Sequence, residues 1–580
     1  MIKQLSWKVG GQQGEGIEST GEIFSMALSR QGFYLYGYRH FSSRIKGGHT
    51  NNKIRVSTKP MNSISDDLDI LVAFDQETID VNHHELSSGG VIIGDSKFSP
   101  SLPEGCSARL YAVPFTEIAT ELGTSLMKNM VAVGASSALL GLQAEAFRSV
   151  VDQIFSRKGA SMVEKNMEAI SEGMEYFKKI AKDIVGDFEL EESDGKGHMF
   201  LIGNDAIALG ALAGGARFMP AYPITPASEI MEYLIKKLPE FGGTVIQTED
   251  EIAACTMAIG ANYAGVRSLT ASAGPGISLM MEAIGLSGIT ETPLVIVDTQ
   301  RGGPSTGLPT KQEQSDLFAV IFGTHGEIPK VVIAPSTVQE AFYDTVEAFN
   351  IAEEYQVPVI ILSDLALSLG KQSVEPLDFN KVEIRRGKLD INEELPELEK
   401  GQYFKRYELT EDGISKRVIP GMKNGIHHVT GVEHSEQGKP SESPENRNEQ
   451  MDKRMRKLNK LTESFPEPVF KDERHEDADL LVLGFISTRG TIQEMMPRLE
   501  KDGLKVNHGQ IRLVHPFPVE EVRAMLDKAK KVVVVENNAT GQLTNLVKMN
   551  LSRSDIQSIL KYDGNPFLPS EIYNKCKELF

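Results

Sequence analysis

Cysteine is scarce in this chain. Three residues, Cys106, Cys255 and Cys576, are spread over 580 positions. They form no Cys-X-X-Cys pair, no zinc-ligand spacing and no disulfide framework. Iron–sulfur clusters are held by several cysteine thiolates, so this chain cannot build a cluster alone. The sparse cysteines also fit a reducing compartment.

Long apolar runs and an excess of positive charge are also missing. No run approaches the roughly 20 apolar residues of a membrane span. The N-terminal sequence enters a strand pattern at once, so we expect no signal peptide. The formal net charge of -19 argues against a nucleic-acid surface, which needs clustered Lys and Arg. We expect a cytoplasmic protein that binds neither membrane nor nucleic acid.

The sequence has the normal balance of soluble α/β domains, with 40% hydrophobic and 24% charged residues. Its length predicts three or four domains. Short β-rich runs alternate with helical stretches up to about residue 190, which predicts βαβ units and a largely parallel sheet. A second, clearer α/β pattern runs from about 203 to 369, and a third begins at Leu480. In the second we expect strands at 245–248, 268–271, 294–299, 331–334 and 359–363, and helices at 252–263, 278–288 and 338–355.

Residues 376–470 differ from the rest of the chain, because they are polar, contain proline and show little periodicity. Composition alone indicates a flexible linker. Apolar residues at 403–407 and 418–420 indicate that part of this segment packs on a surface.

A glycine-rich loop, Gly-Gly-Gln-Gln-Gly-Glu-Gly at 10–16, follows the first strand and opens a helix. Such a loop lets backbone N–H groups approach a phosphate. Its spacing is not Gly-X-Gly-X-X-Gly, and the next strand ends without the acidic residue that holds an NAD ribose. A tight turn without a ligand explains the glycines equally well. The second glycine site at 44–49 adds Arg44 and Lys46, which makes either an exposed loop or the other half of a phosphate site.

Four loops in the second domain carry the chemically informative residues. In Tyr-Pro-Ile-Thr-Pro at 222–226 the prolines fix the backbone and present the Thr225 hydroxyl, whereas Ser228 is also a candidate helix cap. Glu249, Asp250 and Glu251 follow a strand. Acids in a first helical turn favour the helix dipole, but open α/β sheets also bind ligands at this edge.

The other two loops are Thr-Ala-Ser-Ala-Gly-Pro-Gly at 270–276 and a Gly-rich segment that begins at Arg301. The small residues of the first loop let a cofactor approach the backbone. A guanidinium on a Gly-rich loop suits bidentate carboxylate binding, and an exposed, solvated arginine is the alternative.

Together these motifs resemble the α subunit of 2-oxoacid:ferredoxin oxidoreductases, in order and spacing, over essentially the whole chain. The resemblance implies three doubly wound, Rossmann-like α/β domains. They are a γ-type domain (1–190), a thiamine-diphosphate pyrimidine-binding domain (198–375) and a transketolase C-terminal-like domain (471–580), with the linker at 376–470. The chain departs from the commoner family form at Gln13, where a glycine is usual.

The resemblance implies roles for single residues. Glu251 matches the glutamate that hydrogen-bonds N1′ of the thiamine aminopyrimidine, and Thr225 matches the hydroxyl beside the reacting carbonyl. Arg301 matches the arginine that binds the substrate 1-carboxylate, with Thr310 on the same loop. The remaining matches are the cofactor-binding residues Ser272, Gly274 and Pro275, and a coenzyme A or phosphate loop formed by Gly11, Gly14, Gly16, Arg44 and Lys46.

The chain lacks the Gly-Asp-Gly motif that usually anchors thiamine diphosphate through Mg²⁺. The family comparison therefore implies a β subunit that supplies the diphosphate-binding half, the Mg²⁺ and the iron–sulfur cluster, and that passes electrons to ferredoxin. We expect an (αβ)2 heterotetramer that oxidatively decarboxylates a 2-oxoacid to acyl-CoA, with 2-oxoglutarate as the expected substrate. Pyruvate or a branched-chain 2-oxoacid, or a non-catalytic scaffold that binds a phosphorylated ligand, are the alternatives.

Overall fold

The computed structural model describes residues 1–42 and 48–580. They form two compact units. The first contains residues 1–202, 369–377 and 568–571, and the second contains 203–368, 378–567 and 572–580. No helix in the described part of the chain is both long enough and apolar enough to cross a membrane.

The elements alternate between strand and helix along most of the chain. Up to residue 202 they are β1 (Gln4–Gln12), α1 (Ile17–Arg30), β2 (Tyr34–His40), β3 (His49–Ser57), β4 (Leu68–Ala73), α2 (Gln76–Asn82), β5 (Leu86–Asp95), β6 (Arg109–Val113), α3 (Phe115–Glu121), α4 (Lys128–Leu139), α5 (Arg148–Phe155), α6 (Ala160–Ile180) and β7 (Met199–Ile202). 

The same alternation continues through the middle of the chain. The elements there are α7 (Gly203–Ala213), β8 (Phe218–Ala221), α8 (Ser228–Lys237), β9 (Thr244–Gln247), α9 (Glu251–Tyr263), β10 (Leu269–Ser272), α10 (Gly274–Ile289), β11 (Leu294–Gln300), α11 (Leu317–Phe322), β12 (Val331–Ile333), α12 (Val338–Tyr355), β13 (Pro358–Asp364), α13 (Leu365–Leu369) and β14 (Lys371–Val374).

The last third of the chain begins with a long irregular stretch. Its elements are α14 (Pro444–Arg456), α15 (Leu461–Ser464), β15 (Val469–Asp472), β16 (Ala478–Gly484), α16 (Thr488–Lys501), β17 (Val506–Ile511), β18 (Leu513–His515), α17 (Val519–Leu526), β19 (Ala529–Glu536), α18 (Gln542–Leu551), β20 (Gln557–Leu560) and α19 (Pro569–Lys577).

The first unit contains an eight-stranded sheet in the order β6-β5-β4-β1-β3-β2-β14-β7. Strands β1, β4, β5 and β6 pair in parallel, whereas β1–β3, β3–β2, β2–β14 and β14–β7 pair antiparallel. The expectation of a largely parallel sheet is therefore wrong for half of this sheet. The connection at 41–48 is shorter than the roughly dozen residues of a parallel crossover, so β2 and β3 pair antiparallel.

The second unit contains two five-stranded sheets and a two-stranded sheet of β8 and β9. The five-stranded sheets have the orders β10-β11-β13-β12-β18 and β15-β17-β16-β19-β20. Strand β11 is buried along its whole length, as expected for a parallel strand that is covered on both faces. Strand β18 lies between β17 and β19 in sequence but pairs antiparallel with β12, which joins the two five-stranded sheets at one edge.

The three helices expected in the second domain are confirmed. Helix α12 has the predicted bounds, and α9 begins one residue earlier than expected. Helix α10 begins at Gly274 instead of residue 278, because Pro275 stands in its first turn, where proline is well tolerated.

The segment 376–470 has little regular structure before α14, but parts of it pack against other residues of the second unit. Tyr407 and Val418 are each 1% exposed, which confirms that apolar residues of this segment are buried. Arg417 forms a 2.9 Å ion pair with Glu353. A flexible linker is therefore the wrong description of these stretches, because composition does not show their buried contacts.

Candidate functional site

The informative loops meet at one edge of the second unit. Strands β8 and β9 are parallel, β8 is bridged to β10 in parallel, and β10 pairs in parallel with β11. The carboxyl ends of all four strands therefore lie on the same side. In open α/β sheets this side binds ligands.

The three acids after β9 have different environments. Asp250 caps α9 by accepting a 2.8 Å hydrogen bond from the Ala253 N–H, and Glu249 is exposed. Glu251 is only 7% exposed. Within the described residues, no hydrogen bond or ion pair reaches its carboxyl group. The helix-dipole explanation thus suffices for Asp250, but it does not account for a buried Glu251 carboxylate without a partner.

Glu251 and Ser272 converge on Gly276. A Cβ built on Gly276 would lie 2.0 Å from Ser272 Oγ and 2.8 Å from Glu251 Oε1, so only glycine fits there. The Ser272 hydroxyl is fully buried and has no hydrogen-bond partner in the part of the chain that the structure describes. Two polar groups without partners, packed around a glycine, form a niche suited to a polar ligand atom.

Arg301 lies against the loop that contains Thr225. Its Nη1 donates a 2.7 Å hydrogen bond to the Thr225 carbonyl oxygen, and its Nη2 donates to Thr306 O at 3.3 Å. Arg301 is 8% exposed, so an exposed, solvated arginine is the wrong alternative. Its Nε–H has no hydrogen-bond partner within residues 1–42 and 48–580. No carboxylate of the described residues lies within 4 Å of the guanidinium.

Four further candidates have simpler placements. Thr310 is buried on the Arg301 loop, but no hydrogen bond joins it to Arg301 within the described residues. Gly274 and Pro275 stand in the first turn of α10 instead of a loop. Ser228 begins α8 and does not cap it, since the N-cap residue is Ala227.

The sequence patterns did not identify an acidic group close to Arg301. Asp298 is fully buried in β11, and neither carboxylate oxygen has a hydrogen-bond partner among the described residues. Burial and the nearby Asp316 charge raise the pKa of Asp298 well above its usual range. Burial, and then the Glu313 charge, raise the pKa of Asp316 to about 6, against the opposing charge of Arg301. The available signal was an aspartate that directly follows four apolar residues within a buried strand.

The same burial acts on the cation. Burial lowers the pKa of Arg301, and the Asp316 charge opposes that change. The guanidinium is thus a poorly hydrated cation with a free Nε–H at a ligand-binding edge. Such a group binds a carboxylate more strongly than an exposed arginine does, because less water must be removed.

The glycine loop of the first unit borders a cavity of about 460 Å³. Gly14 and Gly16 line it, with positive φ angles of 98° and 81°. Gly11 lies within β1 and does not line the cavity. The Gln13 N–H already donates to Gly48 O at 3.1 Å. Arg44 and Lys46 lie outside the described residues.

Three family descriptions match successive parts of the chain. They are "Pyruvate ferredoxin/flavodoxin oxidoreductase" at 6–176, "Pyruvate flavodoxin/ferredoxin oxidoreductase, thiamine diP-bdg" at 209–453, and "Pyruvate:ferredoxin oxidoreductase core domain II" at 478–572.

Full-length relatives agree with these matches. The 2-oxoacid:ferredoxin oxidoreductase subunit alpha of Sulfolobus sp is 35% identical, covering 98% of this chain and 96% of that protein. The 2-oxoglutarate synthase subunit KorA of Methanothermobacter thermautotrophicus is 36% identical, covering 65% of this chain and 97% of that protein. 

A solved structure matches over the whole chain. It is the 2-oxoglutarate:ferredoxin oxidoreductase from Magnetococcus marinus with 2-oxoglutarate, coenzyme A and succinyl-CoA bound, with a TM-score of 0.92, 36% identity and 100% of both chains covered. The resemblance inferred from the motifs is confirmed: this chain belongs to the 2-oxoacid:ferredoxin oxidoreductase family.

Proposed function

We propose that this chain is the α subunit of a coenzyme A-acylating 2-oxoglutarate:ferredoxin oxidoreductase and that it supplies one half of a thiamine-diphosphate site. The observation that carries the proposal is the buried Glu251 carboxyl group, which has no partner within the described residues and faces the Ser272–Gly276 niche. A protein that had only a structural use for Glu251 would pair or expose this charge.

The residues of this niche fit the aminopyrimidine half of the cofactor. Glu251 would hold and exchange a proton at N1′, and the Ser272 hydroxyl would supply a further hydrogen bond. Gly274 and Pro275 start α10 without a bulky side chain at the niche. The bound cofactor supplies a nucleophilic carbon for attack on the 2-oxo group and an electron sink for decarboxylation.

Thr225 and Arg301 would position the substrate. The guanidinium would bind the 1-carboxylate through its free N–H groups, while the Thr225 hydroxyl would hydrogen-bond beside the reacting carbonyl. Thr310 would line the same pocket. The hydrogen bond from Arg301 to the Thr225 carbonyl supports this assignment, because the two residues are in direct contact.

Two comparisons favour 2-oxoglutarate over pyruvate or a branched-chain 2-oxoacid. The KorA relative is named a 2-oxoglutarate synthase subunit, and the matched structure holds 2-oxoglutarate and succinyl-CoA. The products proposed for this chain are therefore succinyl-CoA and CO2, with electrons passed to ferredoxin.

A β subunit would complete the site with the diphosphate-binding domain, Mg²⁺ and an iron–sulfur cluster, in an (αβ)2 assembly. The absence of a Gly-Asp-Gly motif and the three scattered cysteines support this division. Exposed apolar side chains on α9 and α10 also support it. Ile252 is 46% exposed and Leu279 is 51% exposed, and both helices begin at the cofactor niche. Such surfaces are typical of protein interfaces.

The assignment of domains and of the first-unit loop completes the proposal. Residues 1–190, 198–375 and 471–580 would be the γ-type, pyrimidine-binding and transketolase C-terminal-like domains. The cavity beside Gly14 and Gly16 would take the phosphates of coenzyme A, with Gly11 shaping β1 and with Arg44 and Lys46 as the cations. The assembly would be cytoplasmic.

A substrate panel tests the proposal. The chain is purified with its co-expressed partner and assayed for coenzyme A-dependent ferredoxin reduction with 2-oxoglutarate, pyruvate and a branched-chain 2-oxoacid. We expect the highest kcat/KM with 2-oxoglutarate. A preference for pyruvate would contradict the substrate assignment, and no reduction with any 2-oxoacid would favour the scaffold alternative.

A further inference from the structure

The loop that begins at Arg301 closes on itself. The Gly302 N–H donates to Lys311 O at 3.1 Å, and the Leu308 N–H donates to Gly302 O at 2.8 Å. Arg301 Nη2 also reaches Thr306 O. We call residues 301–311 the arginine loop. These internal bonds fix its shape, but its position depends on the segments at its two ends.

The start of the arginine loop is held within the β10–β13 sheet. Gln300 is fully buried at the end of β11, and its Nε2 donates to Ser363 O at 3.2 Å. Its Oε1 accepts a 2.9 Å hydrogen bond from the Asp316 N–H. This end is therefore fixed by the neighbouring strand β13 and by the residue that precedes α11.

The other end is held by the C-terminal part of the second unit. Gln314 is fully buried. Its backbone N–H donates to Asn537 O at 2.7 Å, and its Oε1 accepts from the Asn537 N–H at 2.9 Å. The backbone carbonyl of Gln314 accepts a hydrogen bond from Asn538 Nδ2 at 3.0 Å. The side-chain Nε2 donates to Asp364 Oδ2 at 2.8 Å and to Phe485 O at 3.3 Å.

Gln312 and Asp364 extend the same network. Gln312 Oε1 accepts from the Ala366 N–H at 2.8 Å, and its backbone N–H donates to Gly564 O at 3.0 Å. Asp364 Oδ2 also accepts from Ser487 Oγ at 2.6 Å. Asp364 ends β13 next to Gln300 in the parallel register. The side-chain amide of Gln314 thus connects two parts of the unit. One part is the sheet that carries Arg301, and the other consists of the loops at 485–487 and 537–538.

We infer that Gln314 is a positioning residue for Arg301, through which the C-terminal α/β part of the second unit sets where the substrate carboxylate is bound. The inference rests on the proposed function of Arg301. A buried amide whose nitrogen and oxygen both have partners is held rigidly, and removing its donor leaves the acceptors that it contacted unsatisfied. Small displacements of a group that orients a substrate cost large factors in rate or affinity.

The first test is Gln314→Glu in the complex with the partner subunit. The substitution keeps the Oε1 that accepts from Asn537, but it places an oxygen where the amide donated to Asp364. We expect KM for the 2-oxoacid to rise about 10-fold, while kcat changes less than about threefold. The double substitution Gln314→Glu with Asp364→Asn restores a donor opposite an acceptor and should recover part of the increase.

A matched control separates positioning from general destabilisation. Gln356 is another fully buried glutamine, and its Nε2 donates to Ser415 O at 2.6 Å, away from the arginine loop. Gln356→Glu should lower the thermal unfolding midpoint without changing KM. For both variants, the KM values for coenzyme A and for ferredoxin should equal those of the unmodified complex.

The second test needs no cofactor or activity. Hydrogen–deuterium exchange of the isolated chain should show faster exchange at the Gly302, Leu308 and Lys311 amides in Gln314→Glu. Amides of β16 and β19 should exchange as before. Faster exchange across the whole C-terminal part would indicate unfolding instead of a displaced loop and would contradict the inference.

Arg301→Ala distinguishes the inference from the proposed function. We expect Gln314→Glu to add nothing to the KM of Arg301→Ala, because both changes act through the same guanidinium. If Arg301→Ala raises KM and Gln314→Glu does not, the inference fails and the proposed function stands. If Arg301→Ala leaves KM unchanged, the assignment of Arg301 fails and the positioning role fails with it.

Discussion

Nη1 of Arg301 donates a 2.7 Å hydrogen bond to the carbonyl oxygen of Thr225, which joins the loop after β11 to the loop after β8. The contact uses one N–H of the guanidinium, and the Nε–H has no partner among the residues that the structure describes. Because the side chain is buried and no carboxylate of the described residues pairs with it, its charge is available to an anionic ligand. This relationship makes Arg301 the most direct point at which to test the site.

Arg301→Ala should lower kcat/KM for the 2-oxoacid about 10- to 150-fold, because a charge-assisted hydrogen bond contributes roughly 1.5–3 kcal/mol. Arg301→Lys should recover only part of this loss, since an ammonium cannot form the planar fork of a guanidinium. Steady-state kinetics of the complex measure both changes. Unchanged kcat/KM in both variants would place the carboxylate site elsewhere.

Glu251→Gln should abolish most turnover, by about 10²–10⁴-fold, because an amide cannot exchange a proton at N1′. The acids that precede it are internal controls, since Glu249 is exposed and Asp250 caps α9. Glu249→Gln should have almost no effect, and Asp250→Asn should retain the cap and most activity. Near-normal turnover of Glu251→Gln, measured in an intact complex by size-exclusion chromatography, would remove Glu251 from the mechanism.

The isolated chain should turn over no 2-oxoacid and should contain no iron. The physical reason is that three cysteines far apart in sequence cannot ligate a cluster. Iron analysis of the purified chain and a decarboxylation assay with added thiamine diphosphate and Mg²⁺ check this expectation. Decarboxylation by the single polypeptide would contradict the two-subunit site.

Asp316→Asn should stabilise the protein increasingly as the pH rises from about 4 to 7. The folded-state pKa of Asp316 is about 6, above the ordinary value of 3.8. The folded state therefore binds the proton more tightly, and this stabilisation is complete below pH 4 and lost as the pH passes 6. The shift corresponds to at most about 3 kcal/mol.

The measurement for Asp316→Asn is the difference in unfolding midpoint between the variant and the unmodified chain at pH 4, 5, 6 and 7. Asparagine imitates the protonated carboxyl group and can still accept a hydrogen bond, so the two proteins should match at the lowest pH. A difference that stays constant over this range would show that Asp316 keeps its ordinary pKa.

The helices of the second domain could be predicted from the sequence because their periodic segments are long, and α12 has the predicted bounds. The strand order and strand directions of the first sheet could not be predicted, because they depend on pairing between distant segments. Strand β14, at 371–374, pairs with β2 in a sheet whose first strand begins at residue 4. The segment 376–470 was misjudged in part for a related reason. The burial of this segment depends on single contacts, such as the ion pair of Arg417 with Glu353. Such contacts produce no periodic pattern of apolar residues in the sequence.

The sequence by itself determined the family and the candidate residues, because motif order and residue type are properties of the chain. Only the tertiary structure separated Glu251 from Asp250, which stand side by side in sequence but differ in burial and partners. It alone showed that Arg301 is buried, that Asp298 lies near Asp316, and that Gln314 contacts residues more than 200 positions away. Burial and long-range hydrogen bonds arise from packing, and packing decides which polar group is free to bind a ligand.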